Sequence, residues 1–171
     1  MVLMNIAAVL IDGGYLRAIN RKYFASSDID FQLFSDRLCG DCERFRTYYY
    51  ICMPYQSNPP TEAERKLYSG MDSFLYNLKQ LPRFEIRLGR LVKKPRNLRA
   101  FEQKGVDVLF AIDLVRLSAG HYIQKAIIVA GDSDFVPAII AAKEEMVLTE
   151  LVYCPKEYSR HLYDVCDDRT P

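Results

Sequence analysis

The stretch KAIIVAGDSDF, residues 125–135, constrains the fold most: an apolar run of strand length stops at a glycine, and two aspartates separated by one serine follow. A strand without a polar face has to be covered on both sides, as happens in a parallel sheet packed between helical layers. NIAAVLI at 5–11 has the same character and stops at Asp12. Segments of helical period lie between such runs. GYLRAINRKYF sets Tyr15, Leu16, Ile19 and Tyr23 at helical spacing, and DFQLFSDRL continues in the same manner. RFRTYYYICM (44–53) and RFEIRLGRLV read as strands, and VLTELVY as the last strand. TEAERKLYSGMDSFLYNLKQL (61–81) reads as a helix opened by Thr61 with Glu64 three residues on. VDVLFAIDLVRLSAG (106–120) reads as a helix closing on Gly120, and FVPAIIAAKEEM as one with Pro137 in its first turn. The alternation predicts an α/β sandwich with a mainly parallel central sheet.

A chain of 171 residues, half of them hydrophobic, is long enough for one well-buried core and too short for two ordinary domains. The expectation is a single domain over 1–171, with a core at about 5–153 and a helical C-terminal tail at about 155–171. Lys and Arg number 23 against 22 acids, so net charge excludes nothing about partners. The apolar start, MVLMNIAAVLIDGG, has no basic stretch before it and no cleavage pattern, and Asp12 interrupts it long before it could span a bilayer. Five cysteines, an odd number, suit free thiols in a reducing compartment. No membrane association and a cytoplasmic location are expected.

In an open parallel sheet the ligand site lies at the carboxyl ends of the strands. Asp12 follows the first apolar run, Asp132 and Asp134 follow the run at 126–130, and Asp107 opens a helix just after Gly105. Each has an ordinary reading by itself: Asp12 in a turn, Asp107 as a first-turn acid, Asp134 as a helix N-cap. Their conjunction is the argument, because capping does not explain why three separate elements aim acids at one edge. Carboxylates gathered in this way repel unless protonated or bridged, and hard divalent ions such as Mg²⁺ or Mn²⁺ take all-oxygen ligands. Asp113 shares the apolar face of its helix with Leu109, Phe110 and Leu117, as either a carboxylate supporting the metal-holding acids from behind or a buried structural one.

LIDGGYL, KGVDVLFAIDL and IIVAGDSDF, in this order and spacing, resemble the NYN domain family, in particular its LabA-like branch within the PIN-like nuclease superfamily. The resemblance covers about 5–153. It implies a three-layer PIN-like sandwich whose acidic pocket binds Mg²⁺ or Mn²⁺ and cleaves RNA. By motif match the catalytic and metal-holding acids would be Asp12, Asp107, Asp132 and Asp134, with Asp113 a frequent companion. The chain departs from the pattern at Tyr15, where many members have Asn.

Residues 83–104 carry eight basic side chains against Glu85 and Glu102, formally +6, while the rest of the chain is −5. This segment leads into KGVD, which would set Lys93, Lys94, Arg96 and Lys104 beside the acids as contacts for an RNA backbone. The alternative is a solvated strand edge. TYYY could offer a stacking face, although such tyrosines are more often core. CGDC has zinc-knuckle spacing without a second pair, and His121 and His161 read as surface residues.

These features predict a divalent-metal-dependent ribonuclease acting on single-stranded RNA, in an assembly that could include a second copy or a regulatory protein. Two rivals stand beside it. One is a catalytically weak or inactive RNA-binding module that keeps the pocket. The other is a small-molecule phosphohydrolase, weakened because Gly14 occupies the place of the second acid such enzymes usually carry.

Overall fold

The computed structural model describes residues 5–94 and 97–171, with the side chains of 92–104 outside that description. Seven strands are named in chain order: β1 Ile6–Asp12, β2 Glu43–Cys52, β3 Phe84–Lys94, β4 Asn97–Lys104, β5 Lys125–Val129, β6 Leu148–Val152 and β7 Asp168–Thr170. The helices are α1 Gly13–Tyr23, α2 Phe31–Cys39, α3 Glu62–Gln80, α4 Val106–Ala119, α5 Val136–Glu144 and α6 Arg160–Val165. One sheet holds all the strands in the order β4-β3-β2-β1-β5-β6-β7. Every pairing is parallel except β3 with β4.

The uninterrupted apolar run of β1 has the predicted cause. Ala8 and Leu10 join one buried cluster with Phe110 and Leu114 of α4 and Ile139 of α5. Ala7, Val9 and Ile11 join the opposite cluster, with Met71, Leu75 and Leu78 of α3. All five β1 residues are fully buried, so truncating Leu10 to Ala would cost about 2–5 kcal/mol. The sheet is thus the middle of three layers. Tyr48, Tyr49 and Tyr50 are core, not a stacking face, because alternate residues of β2 enter the two clusters.

Thr61 and Glu64 form the expected capping box at the start of α3, and Pro137 sits in the first turn of α5. Gly105 turns the chain from β4 into α4 at φ 89°, a left-handed conformation that glycine adopts without steric cost. Two elements differ from expectation. VLTELVY is not the last strand: after α6, Asp168–Thr170 pairs parallel to β6. A three-residue strand is too short to show periodicity, and it is held by Thr149, which donates to Asp167 through both its N–H and its hydroxyl. The segment read as edge strand and loop includes a full antiparallel strand, β4, with Arg90 opposite Lys104.

Cys39, Cys42, Cys154 and Cys166 are free thiols, and burial pushes the Cys39 thiol of CGDC up to about 11. Among the described residues no helix is long and apolar enough to cross a membrane.

Candidate active site at the carboxyl ends of β1 and β5

From β1 the chain builds outward through β2 and β3, then crosses back to place β5 on the other side of β1. The strand order therefore reverses between β1 and β5, and a crevice opens beyond their carboxyl ends. Asp12 ends β1 and caps α1, its Oδ1 accepting the Tyr15 N–H at 3.1 Å. Asp132 follows β5, and its Oδ1 accepts the Asp134 N–H at 3.0 Å across a short 3₁₀ turn, Ser133–Phe135. Asp134 lies inside that turn and does not cap α5, whose N-cap is Phe135. Asp107 occupies the first turn of α4, where the positive end of the helix dipole favours a carboxylate.

Asp12 and Asp107 feel the charges of their acidic neighbours. Burial raises the Asp12 carboxyl above its ordinary range; the Tyr15 and Gly14 N–H groups oppose this, while the charges of Asp107 and Asp132 add to it. Asp107 is also raised, first by burial and then by Asp132 and Asp134. A cavity of about 530 Å³ is lined by Asp12, Gly14, Tyr15, Asp132 and Ser133 on one side and Glu157, Tyr158 and Ser159 on the other. The donor set is all oxygen and suits a hard divalent cation. Among the described residues no three acids stand close enough to hold one ion as they lie. The carboxylates instead spread apart, and two of them turn to local N–H groups.

Asp113 is not part of this pocket. It lies six residues along α4 from Asp107, roughly 9 Å along the axis. There its Oδ2 accepts from Arg87 Nε at 2.8 Å and from the Tyr50 hydroxyl at 3.1 Å. Of the two readings open for it, the structure supports the buried structural one. Arg87 is thereby committed, and Arg83 pairs with Glu43 at 3.2 Å, so part of the +6 of residues 83–104 is neutralised within the fold. The side chains of Lys93, Lys94 and Lys104, and all of Arg96, lie outside the described residues.

The wall at 157–159 has no counterpart in the local sequence pattern. Tyr15 holds it: its hydroxyl accepts the Cys154 N–H and donates to the Glu157 carbonyl, both at 2.8 Å. Lys22 then bonds Glu157 Oε2 at 2.6 Å. No pattern within α1 announces contacts 139 and more residues away, although a tyrosine in place of the common Asn was the visible signal.

The model of the NYN domain family matches residues 6–171. A solved protein of unknown function from Vibrio parahaemolyticus RIMD 2210633 superposes with a TM-score of 0.72 over 99% of this chain and 94% of that one, at 16% identity. At that identity the likeness speaks for the fold alone. No curated protein matches the chain significantly.

Proposed function

The chain belongs to the NYN domain family, a branch of the PIN-like nuclease superfamily, and from that premise we propose that it is a divalent-metal-dependent ribonuclease hydrolysing phosphodiester bonds in single-stranded RNA. The observation that carries the reading is that Asp12 and Asp132 line the crevice at the strand-order reversal, where burial first, and then the charges of neighbouring acids, raise the Asp12 and Asp107 carboxyls. Asp12, Asp132 and Asp134 would hold Mg²⁺ or Mn²⁺, and Asp107 would complete the set. Bound there, the ion would lower the pKa of a coordinated water and neutralise charge on the phosphoryl oxygens. The protein's own contribution is positional. Capping of α1 fixes one Asp12 oxygen, the 3₁₀ turn fixes one oxygen of Asp132, and Tyr15 fixes the opposite wall. No histidine lines the cavity, so acid–base work by imidazole has no place in this reading.

Tyr15 favours a second reading, an RNA-binding regulatory module of low activity. Its hydroxyl is committed to residues 154 and 157, so it cannot do what the common Asn would do at a metal or phosphate. Labelled single-stranded RNA and DNA incubated with Mn²⁺ or EDTA separate the two. Metal-dependent RNA cleavage that Asp132→Asn abolishes supports the ribonuclease; RNA binding without cleavage supports the module.

A further inference from the structure

A second cavity, about 890 Å³, opens on the other flank of α1 and shares Gly14 and Ala18 with the acidic pocket. Neither reading above uses it. Its apolar part is built on aromatic rings: Phe31 and Phe74 meet edge-on at 5.7 Å, and each meets Tyr49 behind them, at 5.6 and 5.9 Å. Arg17 of α1 lies over this surface, with its guanidinium carbon 5.7 Å from the Phe74 ring centre and Nη1 3.4 Å from the Met71 sulfur. Among the described residues it forms no ion pair with a carboxylate. A guanidinium resting on an aromatic ring with its charge uncompensated suits a phosphate oxygen.

The polar lining is mixed: Arg21 and Asn77 together with Asp28 and Asp30. The Asp30 carboxylate is committed to capping α2 through the Leu33 N–H. Balanced charge around an aromatic floor fits a neutral heterocycle better than a second phosphate. A further observation points the same way. The Tyr49 hydroxyl is fully buried without a hydrogen-bond partner. The edge of its ring lies under Gly13, where an added Cβ would be 2.5 Å away, and it feels the charges of both Arg17 and Asp12. An unpaired polar atom is thus buried behind the Phe31 and Phe74 rings that floor this cavity, where it costs free energy.

We infer that this cavity seats one unpaired nucleotide of the RNA strand whose scissile phosphate lies in the acidic pocket, with its base against Phe74 and its phosphate against Arg17. The inference rests on the ribonuclease reading and extends it, giving a reason for single-strand preference: a base enters the cavity only when it is free of a partner. The shared ridge of Gly14 and Ala18 is the path between the two sites.

The test uses the full chain in EDTA, where binding is separated from cleavage. Fluorescence anisotropy with labelled hexa-adenylate, hexa-uridylate and a blunt RNA duplex compares the parent with Arg17→Glu and with Asn77→Trp, which fills the cavity without removing a core side chain. Each substitution should weaken single-strand binding about tenfold or more, the size expected from losing one stacked base, while leaving duplex binding unchanged. Melting temperatures and their rise with Mn²⁺ should match the parent, which sets the effect apart from misfolding and from the metal site. A parent that binds and cleaves RNA while both variants bind within about twofold of it would overturn the cavity assignment and leave the ribonuclease standing. Equal losses on duplex would overturn it too. A parent that neither binds nor cleaves RNA removes both.

Discussion

The Tyr15 hydroxyl accepts the amide N–H of Cys154 at 2.8 Å, tying the first helix to the segment after β6 across 139 residues of chain. The same oxygen donates to Glu157, so one side chain sets the position of the wall that faces Asp12 and Asp132. Removing it leaves a part-buried N–H unpaired. Tyr15→Phe is expected to destabilise the protein by about 1–3 kcal/mol, read as a lower midpoint in urea with an unchanged slope.

Gly131 owes its identity to the same tyrosine. A Cβ there would stand 2.4 Å from the Tyr15 ring. Gly131→Ala should therefore cost about 1–3 kcal/mol by overpacking, and most of that cost should vanish in a Tyr15→Ala background. Additive losses in the double-mutant cycle would show that the two do not meet in solution.

Neutralising Asp12 should separate stability from activity. Its carboxyl is raised in the folded state by burial and by Asp107 and Asp132, so the fold binds its proton more tightly than the unfolded chain does. The resulting penalty is absent below the unfolded value of about 4, grows as pH rises through the folded value and is complete above it. Asp12→Asn keeps a capping oxygen for the Tyr15 N–H and has no charge to bury. In EDTA the mutant should equal the parent near pH 4 and exceed it at pH 7, while metal-dependent cleavage is lost. A parent as stable as the mutant across the whole range would contradict the shared acidic pocket.

Asp113 should behave as a structural residue. Arg87→Met leaves its nearly buried carboxylate, among the described residues, with the Tyr50 hydroxyl alone and should cost about 3 kcal/mol, the lower end for breaking such a pair because Arg87 is partly exposed. The rise in melting temperature with Mn²⁺ should survive in the mutant. Loss of that rise would return Asp113 to the neighbourhood of the metal.

Phosphate contacts by the basic residues of β3 and β4 should leave a salt signature. Replacing Lys93 and Lys94 with Ala should weaken RNA binding across sequences and flatten its dependence on salt, because phosphate contacts release counterions. Unchanged affinity and slope would leave the pair as protection for an exposed strand edge.

The sequence by itself determined the layers. Apolar runs such as Ala7–Ile11 have no polar face to turn to water, so a sheet covered on both sides was legible before any fold was drawn. The order of strands and acids along the chain likewise placed Asp12 and Asp132 at strand ends. Only the tertiary structure decided which residues those acids face. Strand β7, too short to show a period, joins the sheet through Thr149 and Asp167, and the wall of Glu157 and Tyr158 reaches the pocket through the Tyr15 hydroxyl. Asp113 went to Arg87 because six helical residues carried it away from Asp107 and a guanidinium on β3 was within reach. Hydrophobic period is a local property of neighbouring residues, whereas these polar contacts join segments distant in sequence, and their partners exist only once the sheet has brought them together.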